Sequence, residues 1–289
     1  MRSRRDFALL GRISKARIEA DVRRLSTAWP TRHTASRHHD TVAHWIGEAF
    51  ASAGLETSLP EWTFEGPRGP VRRRNVVAEL PARRRGASVT IVCAHFDSRG
   101  KDVNAAEAPA PGADDNATGV AILLECARLL ATHDEPKRDT LRFVCFSGEE
   151  QGLLGSRAYA DREANRRDVR FVFNIDQIGW PPADRALFVD RDEAGVPTNN
   201  RRSAELVATV VRLAKDVVKV PVRVDPAADS DYISFERYGV PILGLYEAGE
   251  RYPHYHRDTD THDRVDMAYV VDAARLTLAS VLELAKDPE

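Results

Sequence analysis

The sequence predicts an α/β three-layer sandwich, with a mostly parallel, mixed central sheet flanked by helices. Two observations carry that expectation. Short β-branched or aromatic runs alternate with helical patterns from about residue 75 onwards, the order expected of a sheet with crossover helices. Apolar residues make up 43% of the 289-residue chain, enough to fill a core between such layers.

Each element follows from its local pattern. Residues 13–26 and 40–53 read as amphipathic helices. In the second, Val42, Trp45, Ile46, Ala49 and Phe50 recur at helical spacing and Gly54 sits where a helix stops. Glu65-Gly66-Pro67-Arg68-Gly69-Pro70 reads as a turn or exposed loop. Strands are expected at 75–80, 88–95, 141–147 and 170–175. An apolar helix is expected at 117–131 and a second from about 153 to 165. Later come a helix at 201–218, strands at 222–224 and 240–246, and a final helix at 267–284. No repeat or linker divides the chain, so one domain spanning residues 1–289 is expected, with residues 1–64 as a helical segment packed on it.

Composition excludes several functions. Lys and Arg total 42 against 44 Asp and Glu, a net charge of −2. This argues against a nucleic-acid partner, which usually requires a strongly basic face. No apolar stretch approaches the ~20 residues of a membrane span. Cys93, Cys126 and Cys145 lie in apolar runs and read as buried thiols rather than a disulfide framework. Ser3-Arg4-Arg5-Asp6-Phe7-Ala8-Leu9 resembles a twin-arginine start, but only Phe7 to Leu10 is apolar behind it. The expected compartment is the cytoplasm, with export as the alternative. The oligomeric state has no signature.

The chemistry gathers where the strands end, the place where open α/β sheets bind ligands. One strand delivers His95 and Asp97, another Glu149 and Glu150, a third Asp176. Asp114-Asp115 precedes the apolar helix, and His254-Tyr255-His256 stands shortly before Asp260. Taken singly, these have plainer readings: a structural histidine, or carboxylates capping helix N-termini. Together they would repel one another unless cations neutralise them, and imidazole with carboxylate is a ligand set suited to zinc, with manganese or cobalt as substitutes. If Asp115, Glu150 and Asp176 converge, their three charges exceed one divalent ion. Two ions, about 3.5–4 Å apart with one bridging carboxylate, leave the cluster slightly positive.

Five motifs in order carry a resemblance. They are His95-Phe96-Asp97-Ser98, Gly112-Ala113-Asp114-Asp115-Asn116-Ala117-Thr118-Gly119, Gly148-Glu149-Glu150-Gln151-Gly152-Leu153-Leu154-Gly155-Ser156, Asn174-Ile175-Asp176, and His256 followed by Asp260-Thr261. From about Asn75 to the C-terminus the chain resembles the zinc aminopeptidase family that holds the bacterial leucyl aminopeptidases and, as a branch, the glutaminyl cyclases. The resemblance implies two zinc ions. His95 and Asp176 would hold one, Glu150 and His256 the other, and Asp115 would bridge. Glu149 would be the general base, passing a proton from the attacking water to the leaving amine. Asp97 would orient a ligand from behind.

Other assignments from the resemblance are narrower. Tyr255 would either polarise the scissile carbonyl or simply pack as an aromatic. Asp231 belongs to a Ser-Asp-x-x-x-Phe segment near the family's site. Gln177 stands where the family often has Met, and Arg257 where it has Ser or Thr. An arginine there would bias the pocket towards an acidic substrate group. His33, His38, His39, His44, His133 and His262 fit no motif and read as surface or capping residues.

The function expected is a metal-dependent aminopeptidase removing N-terminal residues from peptide substrates. The alternative is a single-zinc glutaminyl-peptide cyclotransferase, although those usually carry Trp before the last His where this chain has Tyr255. Carboxypeptidase or other amidohydrolase activity occurs on related folds. A catalytically inactive binding domain would have lost ligands, and a serine hydrolase would need a Gly-x-Ser-x-Gly elbow, which is absent.

Overall fold

A computed structural model describes residues 8–66, 69–84, 86–133, 138–163, 168–194, 196–247 and 252–286. The basic start at Ser3 to Phe7, Pro67-Arg68 and the end of the helix expected to reach 165 lie outside these residues.

Helices α1 (Lys15–Thr27) and α2 (His39–Ser52) open the chain. Strand β1 (Glu56–Ser58) follows, then β2 (Glu61–Gly66) and β3 (Gly69–Arg74), which pair only with each other. The main run is β4 (Val76–Leu80), β5 (Val89–His95), α3 (Thr118–Ala131), β6 (Thr140–Phe146), α4 (Leu154–Glu163), β7 (Val169–Ile175) and β8 (Leu187–Arg191). Helix α5 (Pro197–Val217), β9 (Val222–Pro226), the single turn α6 (Ile233–Glu236), β10 (Ile242–Tyr246) and α7 (Met267–Leu284) complete it.

Eight strands form one sheet in the order β1-β4-β6-β5-β7-β10-β8-β9. Its centre, β6-β5-β7-β10, is parallel, and β4 and β8 run antiparallel to their inner neighbours. Residues on β5 are buried along its whole length, as a central parallel strand covered on both faces should be. On one face, α1, α2, α3, α5 and α7 pack a continuous core that includes Ile18, Ile46, Leu123, Val210 and Leu278. On the other, Tyr159 of α4 and Phe235 of α6 close over Ile91, Val144 and Phe146. The three-layer sandwich expected from the sequence is present.

Several elements differ from the sequence reading. Strands occupy Glu56–Ser58, Glu61–Gly66 and Gly69–Arg74, where no strand was expected: β1 adds an edge to the main sheet, and β2 pairs antiparallel with β3. Residues 1–64 are thus partly built into the sheet. β8 has no counterpart in the sequence reading, because Leu187–Arg191 is too short to show a period and follows a Pro-rich turn. Cys93, Cys126 and Cys145 are free and buried, as expected. Among the described residues no helix is long and apolar enough to cross a membrane.

Candidate metal centre

The parallel strands β5, β6 and β7 end on the same edge of the sheet, and their last residues carry the site. β5 terminates in His95, β6 runs into Ser147-Gly148-Glu149-Glu150, and β7 into Asp176. Asp115 comes from a tight turn over Ala113–Ala117 that leads into α3. That turn starts at Gly112, which has a φ of 53°. A β-carbon at Gly112 would sit 2.5 Å from Ser98 Cβ, so only glycine fits there. His256 also has a left-handed φ of 53°, a costly backbone for a non-glycine residue.

These residues converge. His95 Nε2 lies 3.2 Å from Asp115 Oδ1 and 3.1 Å from Asp176 Oδ1. His256 Nε2 lies 3.2 Å from Asp115 Oδ2 and 3.0 Å from Glu150 Oε2. Asp115 therefore turns one oxygen to each histidine–carboxylate pair. The trios His95–Asp115–Asp176 and Asp115–Glu150–His256 each bring three donor atoms within 4.8 Å of one another. Donors around a tetrahedral zinc ion, with bonds of about 2.0–2.1 Å, stand roughly 3.3 Å apart. The donor set fits two such ions, and the orphaned atoms agree: Asp115 Oδ2 and Glu150 Oε1 are buried and accept no hydrogen bond.

Electrostatics point the same way. Burial alone would lower the His95 pKa, but Asp176, Glu149 and Asp115 push it well above the usual imidazole range. Burial would raise Asp115, but the two imidazoles hold it well below an ordinary carboxylate. Glu150 is pushed up to about 7 by burial and by the Asp115 charge. The cage thus attracts positive charge from whatever can supply it. Glu149 joins neither trio. Burial, reinforced by Glu150, Asp176 and Asp231, raises its pKa well above the ordinary glutamate value.

A supporting layer fixes these groups. Asp97 accepts the backbone N–H of Glu149 (3.3 Å) and of Glu150 (3.2 Å), together with the Thr34 hydroxyl (3.0 Å). It therefore positions the Glu149-Glu150 turn from behind. Asp260 accepts from the backbone of Asp114 and Asp115 at 2.9 and 3.1 Å and takes a hydrogen bond from Tyr252 at 2.7 Å. Ser230 donates to Asp176 Oδ2 at 2.7 Å, and Arg99 to Glu150 Oε2 at 2.9 Å. Fully buried Arg32 donates to the carbonyls of Leu25, Phe96, Pro111 and Gly112, tying the Asp97 and Asp115 loops together.

Beside the centre lies a cavity of about 210 Å³, lined by His95, Asp115, Glu149, Asp176, Gln177, Asp190, Ser230, Tyr232, Tyr246 and Tyr255, among others. Tyr255 stacks on the His256 ring at 3.5 Å and is 42% exposed, so it faces this cavity rather than packing in a core.

Two sequence-based assignments are corrected. Asp231 is fully buried and does not line the cavity; its neighbour Ser230 reaches the site instead. Arg257 is exposed and does not line the cavity. His33 and His39 are also buried rather than superficial, and desolvation pushes His39 down to about 4. Sequence reasoning missed Arg32, Thr34, Arg99 and Asp190. Asp260 stood within a recognised motif, although nothing in its spacing announced that it caps the Asp115 turn.

Comparisons with known proteins bear on the family and the fold. The profile of peptidase family M28 matches residues 75–281. A probable zinc metalloprotease of Pyricularia oryzae is 31% identical over 97% of this chain, which spans 66% of that protein. A leucine aminopeptidase 1 of Arthroderma otae is 28% identical over 96% of this chain and 76% of its own length. Among solved structures, an aminopeptidase from Aneurinibacillus sp. superposes with a TM-score of 0.81 at 17% identity, covering 98% of this chain and 97% of that one. A glutaminyl cyclase from Porphyromonas gingivalis gives 0.78 at 17% identity, covering 94% and 99%. The fold is thus shared by both chemistries. By the family match over most of its length, the chain belongs to peptidase family M28.

Proposed function

We propose that the chain is a two-zinc aminopeptidase that hydrolyses the first peptide bond of peptides with a free N-terminus. The observation that carries this reading is Asp115, whose two oxygens face separate histidine–carboxylate pairs 3.2 Å away on either side. His95 and Asp176 would hold one ion, Glu150 and His256 the other, with Asp115 between. Bound zinc would polarise the scissile carbonyl and lower the pKa of water from 15.7 towards about 7.

The chain's own groups supply the rest. Glu149 reaches the cavity with a raised pKa, which suits a base that takes a proton from the attacking water and later gives it to the departing amine. The Tyr255 hydroxyl, on the cavity wall, would donate to the oxygen that gains charge in the transition state. Asp97 and Asp260 fix the loops that carry Glu149, Glu150 and Asp115, so the groups are aligned before substrate arrives.

The test is metal analysis of purified protein combined with a panel of free, N-blocked and N-terminal glutaminyl peptides. Two zinc ions per chain and release of free amino acids from unblocked peptides alone is the expected result. One zinc ion with pyroglutamate formation would replace the reading with the cyclotransferase.

A further inference from the structure

The cavity beside the metal centre is floored by a buried acid that neither the metal trios nor Glu149 chemistry uses. Asp190 lies on β8 at 5% exposure and lines this cavity together with His95, Glu149 and Asp176. It reaches the cavity because of one glycine. Gly244 of β10 stands in register between Asn174 of β7 and Asp190 of β8. A β-carbon at Gly244 would sit 2.5 Å from Asp190 Oδ2 and 2.8 Å from Tyr232 Cε1. Only the bare backbone lets the carboxylate and the ring lie across β10, towards the strand that ends in Asp176.

The carboxylate is held in place by hydrogen bonding. Tyr232 donates its hydroxyl to Oδ2 at 2.9 Å and accepts the Ala228 N–H at 2.8 Å. Among the described residues no Lys or Arg forms an ion pair with Asp190, and the charges acting on it are those of Asp176 and Asp225. Burial first, then those charges, push its pKa up to about 7, so an arriving cation would restore its full charge. The rings of Tyr232 and Tyr246 form apolar walls beside it.

Resting on the aminopeptidase reading, we infer that Asp190 makes this cavity select a basic N-terminal residue, lysine or arginine, by pairing with the cation at the end of its side chain. A 210 Å³ space accommodates one residue. Asp190 sits two strand spacings, roughly 10 Å, from β7, a gap suited to the flexible four-carbon stem of lysine. Methylenes would lie along the tyrosine rings while the ammonium meets the acid. This is the opposite preference to the one Arg257 suggested.

The α-ammonium of any substrate is a second cation that Asp190 could meet, so the test separates the two. Lysyl and norleucyl p-nitroanilides share the α-amine and differ at the side-chain terminus. The zinc-loaded protein is expected to show a kcat/KM about ten- to a hundredfold higher for the lysyl substrate, the usual scale of a charge-assisted hydrogen bond. Asp190→Asn, which still accepts from Tyr232, is expected to bring that ratio towards unity. A ratio near one in the wild type, or one left unchanged by Asp190→Asn, overturns the inference. An equal loss on both substrates assigns the residue to the α-amine, and also overturns it.

Calorimetric titration of the wild type with free L-lysine and L-norleucine gives a reading independent of turnover and of the variant's folding. Tighter binding of lysine without cleavage of any anilide keeps the pocket assignment and removes the peptidase reading. Cleavage of all the anilides without a lysine preference does the reverse.

Discussion

Ser230 donates its hydroxyl to Asp176 Oδ2 across 2.7 Å and receives the Asn174 side-chain amide at 2.8 Å. That hydrogen bond leaves Asp176 Oδ1 to face His95 Nε2. A carboxylate fixed in this way loses less rotamer entropy on binding an ion. Outer partners of this kind typically change metal affinity by about 10–100-fold. Ser230→Ala is therefore expected to weaken zinc binding by about that factor, measured by competition with a fluorescent chelator. Unchanged affinity would show that Asp176 is held by its backbone alone.

Glu149 offers the sharpest division between binding and chemistry. It belongs to neither donor trio, yet it lines the cavity beside both. Glu149→Gln keeps its volume and removes its basicity. Turnover is expected to fall by about 10²–10⁴-fold, the usual contribution of a positioned base, while zinc content stays at the wild-type value. Kinetics on an unblocked peptide and metal analysis of the same sample check both halves. Retained turnover would assign the proton transfer elsewhere.

The candidate ligands were readable in sequence because chemistry limits them to few residue types, and strand ends place them on one edge. His95, Glu149-Glu150 and Asp176 each follow an apolar run that folds as β5, β6 or β7. Their supports were not readable. Arg32 acts through four carbonyls rather than through a side-chain partner, so no pairing pattern marks it. Asp190 depends on register: only the alignment Asn174–Gly244–Asp190 across three strands brings it to the cavity. Strand β8 itself has five residues, too few for a period to stand out. Arg257 is the converse case, since adjacency in sequence to His256 does not decide which residues line the cavity.

Arg32 supplies a test of architecture. Burial lowers its pKa to about 10, and Asp260, Asp115, Asp97 and Glu150 resist that fall, so it stays charged at neutral pH. Leaving buried acceptors without their donor usually costs about 1–3 kcal/mol. Arg32→Met would leave the Leu25, Phe96, Pro111 and Gly112 carbonyls without their shared donor. The expected outcome is a lower denaturant midpoint with an unchanged m-value, accompanied by weaker zinc binding as the Asp97 and Asp115 loops loosen. A variant as stable as the wild type would mean that water can replace the guanidinium.

Glu125 on α3 gives a pH-dependent prediction far from the centre. Its side chain is fully buried and accepts from Arg17 Nε at 2.9 Å, Arg17 Nη2 at 2.8 Å and the Ser14 N–H at 2.8 Å. Burial would raise its pKa, but the Arg17 hydrogen bonds and the Ser14 amide outweigh it and hold the value below 4.5. A depressed folded-state pKa adds stability above the unfolded value, and that stability is lost as pH falls through the folded one. Glu125→Gln should therefore cost about 1.5–3 kcal/mol at neutral pH, the range for hydrogen bonds to charged groups. The gap between wild type and variant should shrink below about pH 4.5 as the wild-type carboxylate takes up its proton. Urea titrations of both proteins between neutral pH and about pH 3 measure the gap directly. A gap that widens on acidification would reverse the sign and place the stabilisation in the protonated form.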